Sequence, residues 1–129
     1  MKRVTGIGGI FFKAKNPKQL SAWYEQHLGL EPAENAENAS TFKWRGHEDS
    51  AQEGMTVWSI FRHDSEYFSP SQAPFMINYR VDDLDALLET LRAEGVTIDP
   101  RRENYDYGRF AWIMDPEGNR IELWEPPKK

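Results

Sequence analysis

The sequence predicts an α+β fold of two tandem βαβββ modules forming a curved mixed sheet around a cleft. Three observations predict it. Two amphipathic helical stretches are framed alike, each by a capping side chain and a closing glycine. Asn16 to Gly29 and Asp82 to Gly95 both span 13 positions (29 − 16 and 95 − 82). Each stretch follows one apolar strand-like run and precedes others. The last two runs are joined by "DPEGN" (115–119), strong turn chemistry for a hairpin. One such module cannot bury both faces of its sheet; two packed together curve into a ligand-sized cleft.

Taken in order, "GIGGIFFKA" (6–14) is the first strand. Asn16 offers an N-cap oxygen and Pro17 fits the first helical position. Leu20, Trp23, Tyr24, His27 and Leu28 then share one helical face, and Gly29 stops the helix as a left-handed cap. "EPAENAENA" (31–39) reads as loop, "STFKW" (40–44) as a short strand, "RGHEDSAQEG" (45–54) as a hairpin loop and "MTVWSIFR" (55–62) as a strong strand. The proline-bearing 63–74 links the halves, placing one module at 1–68 and the other at 69–129. "FMINYRV" (75–81) reopens the pattern. Asp82 and Asp83 cap a helix carrying Leu84, Leu87, Leu88 and Leu91. "VTIDP", "RFAWIMDP" and "RIELWEP" supply the closing strands, with "RRENYDYGRF" (101–110) as a polar loop.

Composition narrows the function. At 129 residues the chain can bury a core without staples. A net charge of −5 argues against nucleic acid or an anionic membrane as partner. No apolar run approaches the roughly 20 residues of a membrane span, so a cytoplasmic protein is expected. With no cysteine there is no disulfide, thiol nucleophile or thiolate metal site. The run "GIGG" lacks the spacing and following helix of a dinucleotide loop and is rejected as one. Seventeen aromatic residues (five Trp, five Tyr, seven Phe) are enough to wall a small-molecule pocket as well as a core.

Glu122 stands out, because a carboxylate inside the apolar run "RIELWEP" is costly unless it is satisfied. Strand alternation puts Arg120, Glu122 and Trp124 on one face and Ile121 and Leu123 on the other. Arg120, Arg80 and Arg62 are candidate partners for the carboxylate.

"NPKQLSAWYEQHLGL", "YRVDDLDALLETLRAEGV" and above all "MDPEGNRIELWEP" resemble the vicinal oxygen chelate superfamily. That group holds glyoxalase I, bleomycin- and fosfomycin-resistance proteins and extradiol dioxygenases. The resemblance spans the chain and implies paired modules, a cleft faced by Glu122, and a homodimer. It also implies metal-ligand positions on the first and last strand of each module. These fall on Gly9, near Trp58, on Phe75 or Met76, and on Glu122. Only Glu122 can bind a cation there, so no metal site and no cofactor is expected. Of the histidines, His27 and His47 read as rim or surface residues, and His63 lies nearest the cleft mouth.

The expected ligand-binding residues are Trp58, Arg62, Met76, Tyr107, Arg109, Trp112 and Trp124, with Glu122 as candidate catalytic group. Tyr105, Tyr107 and Arg109 suit a planar or anionic molecule. Residues 65–75 are expected to cover the cleft or to pack at a dimer contact. The leading expectation is a metal-independent protein that binds a small organic molecule in an aromatic cleft. The alternative is a glyoxalase-like lyase or isomerase that uses Glu122 as general base or metal ligand. A purely structural module, its cleft filled by its own side chains, is the third reading.

Overall fold

The computed structural model describes residues 3–34, 36–47 and 49–128. The readings of residues 1–2 and 129 as module ends, and of Asn35 and Glu48 as loop positions, lie outside the described residues. Seven strands and two helices follow in the order β1 (Val4–Ala14), α1 (Pro17–Leu28), β2 (Ala39–Arg45), β3 (Glu53–Arg62), β4 (Phe75–Val81), α2 (Leu84–Ala93), β5 (Ile98–Tyr105), β6 (Gly108–Met114) and β7 (Arg120–Glu125). They form one mixed sheet ordered β2-β3-β1-β4-β7-β6-β5.

The two halves meet at the centre, where β1 and β4 pair antiparallel. Each half closes on a parallel pair, β1 with β3 and β4 with β7, and a helix lies in each crossover. The halves differ by one strand. The second is βαβββ, whereas the first is βαββ: β2 and β3 match β6 and β7, and β5 has no described counterpart. The reason lies in "EPAENAENA", which carries no β-branched or aromatic side chain to pack on a sheet.

Residues 101–105, expected in a loop, instead belong to β5, which turns tightly into β6 at Asp106–Tyr107. An edge strand tolerates charged side chains and a proline. Pro100 falls where the β5–β6 register is irregular, between Ile98 and Arg102.

Both helices start at side-chain caps. Asn16 Oδ1 accepts from Gln19 N–H at 3.1 Å and Asp83 Oδ1 from Ala86 N–H at 3.0 Å. Gly29 stops α1 at φ 70°, and Gly95 follows α2 at φ 81°. Their burial differs sharply. Leu84, Leu87 and Leu88 of α2 are buried against Val81, Ala111 and Leu123, each burial stabilising by roughly 2 kcal/mol. In α1 no residue is buried; Tyr24 meets Phe12 and Trp58, while Trp23 and Leu28 stay exposed.

Alternation along β4 and β6 sends Met76 and Trp112 to the sheet face opposite α2. There they form a second core with Phe68, flanked by Phe11, Phe61, Tyr67 and Phe110. Phe68 and Tyr67 come from the segment between β3 and β4, which packs over this face. Glu122 lies on the same side.

Candidate functional site

Strand register builds the site. Trp112 of β6 is level with Glu122 of β7, and Glu122 with Asn78 of β4. Gly9 of β1 and Val57 of β3 continue the row. Glu122 is only 2% exposed and Asn78 3%, yet both line a cavity of about 480 Å³. Its walls include Phe11, Met55, Val57, Phe110, Tyr107 and Trp124, and Tyr67 and Glu103 add polar groups.

Three donors converge on the Glu122 carboxylate. Asn78 Nδ2 donates to Oε1 at 2.6 Å. The Tyr67 hydroxyl and Trp112 Nε1 donate to Oε2 at 2.5 and 2.9 Å. A carboxylate offers about four lone-pair positions, so Oε1 retains one for a further donor. Burial pushes the Glu122 carboxyl above its ordinary range, outweighing the opposing pull of the three hydrogen bonds and of the Arg120 charge. Burial also raises the Tyr67 hydroxyl, reinforced by Glu122 beside it, so Tyr67 remains a donor.

Asn78 has an acceptor to spare as well. With Nδ2 given to Glu122, its buried Oδ1 has no partner among the described residues. Gly8 makes room for it: a Cβ there would overlap Oδ1 and sit 2.9 Å from the Trp124 ring. The glycines of "GIGG" thus serve close packing, and Gly6 likewise leaves space for the Trp44 indole.

The structure brings some of the expected residues together and separates others. Tyr107 and Trp124 line the cavity with Glu122. Trp112 reaches Glu122 from the core through its indole N–H. Met76 is fully buried beside Trp112 and Phe68. Trp58 packs beneath α1 against Tyr24 and Phe12. Arg62 pairs with Asp64, and Arg109 with Asp85. Arg120 pairs with Asp99 at 2.8 Å, its guanidinium over the Trp112 ring. The partners of Glu122 are therefore uncharged.

Tyr67, Asn78 and Gly8 were not singled out from the sequence. Asn78 shares the one signal that marks Glu122, a polar side chain inside an apolar strand run. The row level with Glu122 holds Val57 and Asn78, one position before Trp58 and two after Met76. It contains a single carboxylate, and no group of three or more His, Asp or Glu placed to hold a metal occurs among the described residues. Among the described residues no helix is long and apolar enough to cross a membrane.

Comparison with known proteins agrees with this architecture. The model of the Glyoxalase/Bleomycin resistance protein/Dioxygenase superfamily matches residues 6–123. The chain belongs to that superfamily. No curated protein sequence matches it significantly. Among solved structures it is similar to a variant of Streptomyces coelicolor methylmalonyl-CoA epimerase in complex with 2-nitronate-propionyl-CoA, at 16% identity and TM-score 0.70, covering 97% of this chain and 99% of that one. Methylmalonyl-CoA epimerase from Mycobacterium tuberculosis is similar at 21% identity and TM-score 0.63, covering 99% and 92%. The Mn(II)-bound glyoxalase from Novosphingobium aromaticivorans is similar at 22% identity and TM-score 0.56, covering 97% of this chain and 40% of that one. At these identities the likeness is one of fold.

Proposed function

We propose that this protein binds a small organic molecule in the aromatic cleft, anchored through hydrogen bonds to Glu122 and Asn78, without the metal used by some relatives. One observation carries the reading. Glu122 and Asn78 line one cavity, where Glu122 Oε1 keeps a lone pair open and the enclosed Asn78 Oδ1 has no partner among the described residues. A ligand presenting N–H or O–H groups satisfies Glu122 Oε1 directly, and Asn78 Oδ1 once the amide turns toward the cleft. The row through Gly9, Val57, Asn78 and Glu122 does not suit a divalent cation, since it offers one carboxylate already held by three donors. The family resemblance supports a cytoplasmic homodimer of chains divided into modules near residue 68.

The test is fluorescence titration with N-phenyl-2-naphthylamine, an uncharged aromatic amine carrying one N–H donor. Saturable binding weakened severalfold in Asn78→Leu but unchanged in Trp58→Phe supports the reading. Binding that is absent, or equal in Asn78→Leu, removes it.

The raised Glu122 carboxyl favours a second reading, an enzyme in which Oε1 removes a proton from carbon next to a carbonyl and returns it. Deuterium exchange from solvent into methylmalonyl-CoA, the compound bound in one similar epimerase structure, tests this. Exchange abolished in Glu122→Gln supports it; no exchange by the native protein removes it for that compound class.

A further inference from the structure

The aromatic cleft does not end at Tyr107 and Trp124. These two residues and Met55 also line a second cavity of about 810 Å³. Its lining is charged very differently. Lys43, Arg45, Arg80 and Lys128 contribute four cations there against one carboxylate, Glu53. The chain as a whole carries −5, so this cationic mouth runs against the overall charge. Arg45 lies 3.8 Å from Glu53. Arg80 is held over the Trp44 ring and bonded to the Thr5 hydroxyl, with no acidic partner among the described residues. Neither Lys43 nor Lys128 has an acidic partner among the described residues.

The inner cavity has the opposite character, with Glu122 and Glu103 in its lining and no cation, although Glu103 pairs with Arg101 outside it. The two cavities adjoin at Met55, Tyr107 and Trp124, with carboxylates lining the inner one and cations the outer. Arg80 and Asn78 stand two residues apart on β4, and Trp124 and Glu122 two apart on β7. Arg80 is level with Trp124 just as Asn78 is level with Glu122. The cationic row and the acceptor row are therefore adjacent steps on the same pair of strands.

From this polarity we infer that the ligand is an amphipathic organic anion. Its uncharged, donor-bearing end lies against Glu122 and Asn78, its apolar middle against Tyr107 and Trp124, and its sulfonate-, phosphate- or carboxylate-type end among Lys43, Arg80 and Lys128. This rests on the cleft reading above and deepens it. The outer cations supply attraction and orientation, and the two acceptors admit an uncharged head while repelling a second anion.

Two probes with one skeleton test it, the first with its N–H and sulfonate at opposite ends: 6-anilinonaphthalene-2-sulfonate and its uncharged parent, N-phenyl-2-naphthylamine. Each is titrated into the native protein, into Lys43→Glu/Lys128→Glu, and into Lys18→Glu as a remote charge control. The inference expects the sulfonate to bind about tenfold more tightly than the parent, a few exposed ion pairs' worth. That advantage should vanish in the double variant and in high salt, persist in Lys18→Glu, and leave affinity for the parent unchanged throughout. Equal affinity for the two probes in the native protein overturns the anion inference and leaves the cleft reading standing. An advantage that survives the double variant overturns it equally. Failure of the parent to bind at all overturns the cleft reading, and this inference with it.

Discussion

Asn78 Nδ2 meets Glu122 Oε1 at 2.6 Å, and the two residues are direct register partners on the parallel strands β4 and β7. The amide therefore spends its donor on the carboxylate and keeps its acceptor for something else. This one relationship settles how the site responds to substitution. Glu122→Gln should be tolerated: its carbonyl oxygen can accept from Tyr67 and Trp112, and an Asn78 flip lets Oδ1 accept from the new amide. We expect a stability change within about 1 kcal/mol. Glu122→Leu leaves three buried donors unpaired and should cost about 3 kcal/mol or more. Urea denaturation of both variants makes the comparison. Equal losses would show that the hydrogen bonds do not hold the carboxylate.

Ionisation of Glu122 sets a pH signature. Its folded pKa lies above the ordinary 4.5, so folding favours the protonated form. The stability contribution is complete below about 4.5 and is lost as pH rises through the folded value. Gln carries no such charge. The melting temperature of Glu122→Gln should therefore gain on that of the native protein as pH rises from 4.5 toward neutrality. Asp99 and Asp115, whose carboxyls are lowered chiefly by hydrogen bonds from Arg120 and Asn119, act in the opposite sense. They are common to both proteins and cancel in the difference. Thermal scans across that range check it, and a difference that is flat or falls with pH contradicts it.

Both helices were legible because their caps are local chemistry: Asn16, Pro17 and Gly29, then Asp83 and Gly95, act within a few residues of themselves. Glu122 was legible because a carboxylate in an apolar strand is expensive wherever it sits. Its partners were not. Tyr67 arrives from a proline-bearing connection whose path no periodicity reveals. Asn78 becomes its neighbour only through the parallel register of β4 on β7, which joins residues 44 positions apart. Trp58 follows Val57, the β3 residue level with Gly9, so strand alternation puts it under α1 instead of in the cleft.

Gly8 is the position where added bulk should matter most for the site. A Cβ overlapping Asn78 Oδ1 forces that amide to move. Gly8→Ala should destabilise by about 1–3 kcal/mol and weaken binding of the naphthylamine probe. Much of the stability loss should disappear in the Asn78→Ala background, where the clashing atoms are gone. A double-mutant cycle measures this; simple additivity would place the strain elsewhere.

Metal binding offers a separate check. Untagged protein dialysed against nickel, zinc or manganese, then against buffer, should retain well under one ion per chain by elemental analysis. Chelators should leave its melting temperature unchanged. Stoichiometric metal that disappears in Glu122→Gln would mean that the carboxylate exchanges its three donors for a cation, and would overturn the metal-free reading.

The most direct test of the account is a carbon-13 NMR titration of the glutamate side-chain carboxyls, with Glu122 assigned by its absence in Glu122→Gln. We expect a Glu122 midpoint above the ordinary 4.5 in the free protein. Its carboxyl resonance should also shift when the naphthylamine probe saturates the cleft, with no metal added. A midpoint at or below that ordinary value, or a resonance indifferent to the bound probe, would contradict the claim that a buried, protein-held carboxylate faces the ligand.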